Sequence, residues 1–348
     1  MYDNYFKILC KYITFVVSYN IGKIILIKIG GMKMSFLVLI IGFFFLIKGA
    51  DMFVEGASSI ARKFNVPAMI IGLTIVAMGT SAPEAAVSIT SSLAGQNDMC
   101  VANVVGSNFF NILVVLGVSS IIAKLPVQKG TIKKDAPFLL LVSGLLLLFG
   151  LDLNINRIEG LILLAIFTYF LVDTVKSAKK SSQETSSEAA TTMDIEVTEE
   201  SSMLKTILLS IIGIVGIVLG GDMVVDSATN IATSFGMSAN LVGLTIVAVG
   251  TSLPEFVTSV VAIKKGETEI AIGNVIGSNI FNILLVLGLS AAISPIAIST
   301  FALIDVIFMV AITVLLYFFM KKDNSIVKSQ GIIFIILYIA YMAYTIVR

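Results

Sequence analysis

Gly72–Glu84 reads GLTIVAMGTSAPE, and 171 residues later Gly243–Glu255 reads GLTIVAVGTSLPE. A second stretch, NVVGSNFFNILVVLG at Asn103–Gly117, returns at the same offset as NVIGSNIFNILLVLG at Asn274–Gly288. The offset also aligns Asp51-Met52 with Asp222-Met223, Glu55 with Asp226 and Phe64 with Phe235, without a gap. A chain that repeats itself over this length is built from two copies of one structural unit.

Composition places both copies in a membrane. Of 348 residues, 57% are hydrophobic and 13% charged, with a mean hydropathy of +1.02, far from the makeup of a soluble domain. The net charge of +1 offers neither the basic excess that nucleic acid requires nor an acidic solvating tail. Cys10 and Cys100 are far apart and the chain has no histidine, which excludes a Cys/His metal site and every His-dependent catalytic triad.

A membrane helix needs about 20 mainly apolar residues. Ten candidate spans follow: 35–60, 67–94, 100–123, 134–151, 156–177, 204–233, 238–263, 269–293, 298–320 and 328–346. The expected fold is therefore an all-α polytopic membrane protein. Gly, Pro, Asn and Ser interrupt the second, third, seventh and eighth spans, which predicts broken helices there. Basic residues cluster after the odd spans: Arg62 and Lys63; Lys124, Lys129, Lys133 and Lys134; Lys176, Lys179, Lys180 and Lys205; Lys264 and Lys265; Lys321, Lys322 and Lys328. Of the alternate loops only the one after span 4 holds a basic residue, Arg157. Positive residues stay in the cytoplasm, so span 1 starts outside the cell and the C-terminus ends outside. An odd number of spans per copy makes the second copy enter from the opposite side. The expected architecture is two inverted five-helix repeats, 34–177 and 204–348, in the plasma membrane. Secondary transporters share this plan, with the substrate site at the repeat interface.

Residues 178–203 are polar and rich in Ser, Thr and acids, and are expected to form a flexible cytoplasmic linker. Residues 1–33 carry Lys7, Lys11, Lys23, Lys28 and Lys33, positive charge on the wrong side for span 1. They are either an amphipathic or signal-like segment or untranslated sequence ahead of a start at Met34. The second reading is preferred, since Gly30-Gly31 fits a ribosome-binding tract read in frame.

The repeated G-T-S-x-P-E element has a chemical meaning. Pro83 and Pro254 cannot donate to the carbonyls of Gly79 and Gly250 four residues earlier. A carbonyl freed in lipid needs a partner, and a desolvated cation supplies one. Thr80, Ser81 and Glu84 lie beside the first break, Thr251, Ser252 and Glu255 beside the second. A mid-span glutamate costs about 2.5–3.5 kcal/mol on insertion scales and marks an ion path. Ser107 with Asn111, and Ser278 with Asn282, add neutral oxygens. The sum is an all-oxygen cage with two carboxylates, suited to calcium, which takes about six to eight oxygens. Taken singly, the prolines could be kinks and the small residues mere helix packing; their repetition favours an ion site. Asn103, Asn108, Asn274 and Asn279 have two readings, as ligands or as struts for the broken helices. Asp51, Glu55, Asp222 and Asp226 likewise belong either to a water-filled vestibule or to solvated span ends.

The duplicated G-T-S-x-P-E and G-N-x-I-G-S-N-x-F-N-I pair resembles the two alpha repeats of the calcium/cation antiporter superfamily, particularly the short prokaryotic sodium/calcium exchangers. The resemblance runs from about residue 35 to the C-terminus. It implies ten helices in two inverted halves and alternating-access exchange of sodium for calcium, with no cofactor, no catalytic residues and no obligatory protein partner. The implied metal ligands are Glu84, Glu255, Thr80, Thr251, Ser81, Ser252, Ser107, Ser278, Asn111 and Asn282, with the carbonyls of Ala77 and Ala248. Two departures stand out. Val101-Ala102-Asn103 replaces the family-like Ile272-Gly273-Asn274, and Asn282 stands where potassium-dependent members carry aspartate. A central charge of −2 favours potassium-independent exchange. The proton-coupled branch has G-N-x-x-E in the first element, so proton/calcium antiport is the alternative. A passive channel and an intramembrane protease are the remaining classes; for the latter, paired catalytic aspartates and a Ser/His dyad are both missing at midplane depth.

Overall fold

A computed structural model describes residues 32–93, 95, 98–189, 203–237 and 248–347. Residues 1–31, and with them most of the N-terminal extension, lie outside the described residues, as does the first part of the expected span 238–263. The helices are α1 (Met32–Lys63), α2 (Ala68–Thr80), α3 (Ala82–Leu93), α4 (98–122), α5 (131–150) and α6 (Arg157–Ala189). They continue with α7 (Met203–Ser234), α8 (Leu253–Lys264), α9 (Thr268–Ile293), α10 (Thr300–Asp323) and α11 (Lys328–Val347), and a single turn, Ala248–Gly250, precedes α8. Among the described residues six helices are long and apolar enough to cross a membrane, and the bent α2–α3 pair makes a seventh. The protein is an all-α membrane protein, and α9 is at its centre: 94% of its most apolar window is buried, against 28% for α6.

The broken helices expected from Gly, Pro and Asn are present. α2 and α3 meet at 48° around Ser81, where Pro83 removes a backbone donor. Wider π turns occupy Gly72–Val76 in α2, Phe110–Val115 in α4 and Asn282–Leu287 in α9, and a further one, Thr131–Asp135, opens α5. Such turns often sit at functional sites. One expectation is changed. α6 stays helical through Ala189, so the 178–203 segment begins as helix. Residues 190–202 lie outside the described residues.

The backbone itself repeats with the 171-residue offset. All six residues with positive φ among the described ones form three such pairs: Asn65 with Gly236, Gly95 with Gly266, and Leu153 with Asn324. So do four two-residue strands, β1 (Leu125–Pro126), β2 (Asn154–Ile155), β3 (Ile296–Ala297) and β4 (Ser325–Ile326). Each pairs with a strand of the other half, β1 with β4 and β2 with β3, both antiparallel. Because these strands only zip loop backbone together, alternating side-chain patterns did not announce them.

α1 and α7 pack along one another in opposite directions. Gly42 faces Met223 and Val224, Gly49 faces Gly213 and Ile217, and Gly56 faces Ser210. Glycine at these points lets the two backbones approach more closely than any side chain would permit.

Candidate cation site

Ser81 (φ −84°, ψ 9°) and Ser252 (φ −91°, ψ 5°) interrupt helical geometry one residue before α3 and α8. Glu84 and Glu255 therefore lie in the first turns of α3 and α8, near the backbone N–H groups of helix starts. Both glutamates are fully buried. Among the described residues no lysine or arginine pairs with either one.

Each carboxylate is held mainly by the other half of the chain. Ser81 Oγ donates to Glu255 Oε1 at 2.8 Å, and Ser252 Oγ donates to Glu84 Oε1 at 3.1 Å. From their own halves, Ser107 Oγ is 3.4 Å from Glu84 Oε1 and Ser278 Oγ is 3.4 Å from Glu255 Oε1. Ser107 Oγ also lies 2.9 Å from Ser252 Oγ and accepts from Asn282 Nδ2 at 3.1 Å. Amides extend the set: Asn282 Nδ2 donates to Asn108 Oδ1 and Asn111 Nδ2 to Asn279 Oδ1, both at 3.1 Å. These two bonds are again related by the 171-residue offset.

Those donors leave a definite set of oxygens. Oε2 of Glu84 and of Glu255, and Oδ1 of Asn111 and of Asn282, are buried and receive no hydrogen bond; the buried Thr251 Oγ1 also has no partner. A buried acceptor without a donor is unfavourable by about 1–3 kcal/mol, more when charged, and four in matched pairs call for a common explanation. Two carboxylates without a cationic side chain sharpen the point. No group of three or more His, Cys, Asp or Glu converges among the described residues. A cation here would be bound by two carboxylates and neutral oxygens, a hard all-oxygen donor set.

The other expected ligands are less open. Thr80 Oγ1 is within hydrogen-bond reach of Val76 O, Ala77 O and Asn274 Oδ1, at 3.1, 3.4 and 3.0 Å. Ala77 O accepts the backbone N–H of Ser81 at 3.0 Å, which leaves one of its lone pairs. Ala248 contributes backbone in the turn before Gly250.

Of the four ambiguous asparagines, Asn103, Asn108 and Asn274 donate to neighbouring helices, whereas the buried Asn279 Nδ2 has no partner and its Oδ1 accepts from Asn111. Asn103 Nδ2 donates to Glu84 O at 3.2 Å and Ser88 Oγ at 2.9 Å, and Asn274 Nδ2 to Glu255 O at 3.4 Å and Ser259 Oγ at 3.1 Å. Asn108 Nδ2 reaches Asn279 O at 3.4 Å. Ser88 and Ser259, which complete these struts, were not singled out from sequence. The repeat offset relates them, and they stand four residues after each glutamate, on its helical face. Asp51 and Glu55 sit away from the cage, paired with Lys265 Nζ at 2.9 and 3.5 Å.

A protein-family profile described as sodium/calcium exchanger protein matches the chain twice, over residues 34–175 and 205–347. CaxA of Alkalimonas amylolytica is 43% identical over 264 residues, 76% of this chain and 82% of that protein. The sodium/calcium exchanger MaX1 of Methanosarcina acetivorans is 31% identical over 342 residues, 88% of this chain and 97% of its own. Among solved structures, the sodium-calcium exchanger NCX_Mj superposes with a TM-score of 0.78 at 33% identity, covering 90% of this chain and 99% of that one.

Proposed function

The chain belongs to the sodium/calcium exchanger family, and we propose that it exchanges sodium for calcium by alternating access, without potassium, at the cage around Glu84 and Glu255. It is a membrane ion exchanger and not an enzyme. The observation that carries the site is the matched set of buried oxygens without donors, Glu84 Oε2, Glu255 Oε2, Asn111 Oδ1 and Asn282 Oδ1. Thr80, Thr251, Ser81, Ser252, Ser107, Ser278 and the carbonyls of Ala77 and Ala248 complete the ligand set.

The proposed architecture is ten spans in two inverted five-helix repeats, 34–177 and 204–348. The antiparallel course of α1 and α7 supports it, because these are the first spans of the two halves. Loop lysines support an outer start of span 1, an outer C-terminus and a cytoplasmic 178–203 segment in the cell membrane. Calcium, or several sodium ions, neutralises the same two carboxylates. An unloaded cage leaves two unpaired charges in a dry path, which resists occlusion and so enforces exchange. Direction follows the gradients, normally sodium in and calcium out. No cofactor is involved, and the ions and the bilayer are the partners.

Potassium independence rests on Asn111 and Asn282. Both are neutral, and each amide donates within the cage, so the central charge stays at two carboxylates. Proton-coupled calcium antiport is the second reading, since two buried carboxylates can also take up protons. Radioactive calcium uptake into proteoliposomes loaded with sodium, potassium or acid separates the two. Sodium-loaded vesicles should take up calcium, acid-loaded ones should not, and external potassium should add nothing. Uptake driven by acid without sodium would assign the proton as the counter-ion.

A further inference from the structure

A cavity of about 650 Å³ opens between the end of α1, the length of α2 and the last part of α6. Its wall is almost entirely apolar, with Ile60, Phe64, Ile70, Met78 and Leu171 among the lining residues, and Lys179 of α6 also lines it. Phe64, Met78 and Val175 at its rim are 48, 45 and 50% exposed, so the cavity opens sideways, away from the protein core. Along α2 the lining runs from Ile70 to Met78. At 1.5 Å per residue that is roughly 12 Å, most of one leaflet of a hydrocarbon core about 30 Å thick.

We infer that this cavity is a binding site for an anionic phospholipid of the cytoplasmic leaflet, one acyl chain lying along α2 and the headgroup at Lys179. The inference rests on the membrane orientation proposed above, which puts the end of α1 and the end of the apolar span of α6, Arg157–Lys180, at the cytoplasmic surface. Charge complementarity selects the headgroup. Lys63 at the end of α1, and Lys176 and Lys179 at the end of the apolar span of α6, are exposed. Asp173 is paired with Lys134 at 2.7 Å, and Glu267 with Arg62 at 3.3 Å. Basic clusters at this depth attract anionic lipids, while an apolar slot most of a leaflet deep takes the chain by hydrophobic burial. Thr74 lines the slot one helical turn before Ala77, and Met78 is two residues before Thr80. A seated chain therefore braces the half-helix that leads to the cation cage against α6.

The chain contains no tryptophan, so a single introduced indole reports one location. Val175→Trp sits at the rim of the cavity, and Ile336→Trp, on exposed α11, serves as the control. Each variant is reconstituted in mixtures containing brominated phosphatidylglycerol or brominated phosphatidylcholine at equal mole fraction. The indole of Val175→Trp should be quenched by phosphatidylglycerol at least twofold more effectively than by phosphatidylcholine. Adding Lys179→Gln should erase that preference, and Ile336→Trp should show none. Equal quenching of Val175→Trp by both lipids, quenching by neither, or a preference that survives Lys179→Gln would overturn the inference. The measurement uses no ion gradient, so a failure of sodium-driven exchange and a failure of the lipid site are separately visible.

Discussion

Replacing Glu84 by glutamine should lower calcium exchange at least about 100-fold, and Glu255→Gln should do the same to within a few-fold. Removing one partner of a buried charge interaction costs about 3–5 kcal/mol, and each 1.4 kcal/mol is about a tenfold change in affinity. The near equality follows from the matched surroundings: each glutamate has one serine from the opposite half on Oε1, one from its own half, and an Oε2 without a donor. In either variant the new amide places a donor close to the ion while one of two charges disappears. The double variant should be little worse than the singles, because residues that act on one ion are strongly non-additive. Initial-rate calcium uptake, normalised to protein in the vesicles, is the check. Activity within twofold of the parent in either single variant contradicts the shared cage.

Gly213→Ala should lower the thermal unfolding temperature by several degrees, whereas Gly144→Ala should leave it unchanged or raise it. A Cβ at Gly213 would lie 2.6 Å from Phe53 N and 2.8 Å from both Gly49 O and Phe53 Cα. All three are backbone-chain atoms of α1, so no side chain can rotate away and the two long helices must separate. Overpacking of this kind costs about 1–3 kcal/mol, more than the ~1 kcal/mol that alanine gains over glycine within a helix. At Gly144 a Cβ meets nothing within 4 Å, so only the helix-propensity gain remains. Unfolding of the purified protein in detergent, followed by circular dichroism, measures both. Equal stability of the two variants would show that the α1–α7 contact is not tight.

Much of this was visible in the sequence because proline and repetition are local signals. Pro83 and Pro254 mark the helix breaks, and the offset of 171 residues alone pairs Glu84 with Glu255 and Asn111 with Asn282. What the sequence could not show is which half serves which carboxylate. Ser81 is three residues from Glu84 yet donates to Glu255, and Ser252 likewise crosses to Glu84. That exchange is decided by how the halves interlock, and no local spacing encodes it. The same holds for Asn103 and Asn274, whose role as struts depends on the distance between neighbouring helices. The four short strands and the helical start of the 178–203 segment escaped for another reason. Both are backbone arrangements compatible with many side chains, so composition does not select them.

The central claim is that calcium and sodium compete for one cage containing Glu84 and Glu255. Equilibrium binding of radioactive calcium to the purified protein, titrated with sodium, tests it most directly. Sodium should weaken apparent calcium affinity progressively while leaving the number of calcium sites unchanged, and Glu84→Gln should abolish high-affinity calcium binding. Calcium binding that is indifferent to sodium, or that sodium reduces in capacity without changing its affinity, would contradict a shared site.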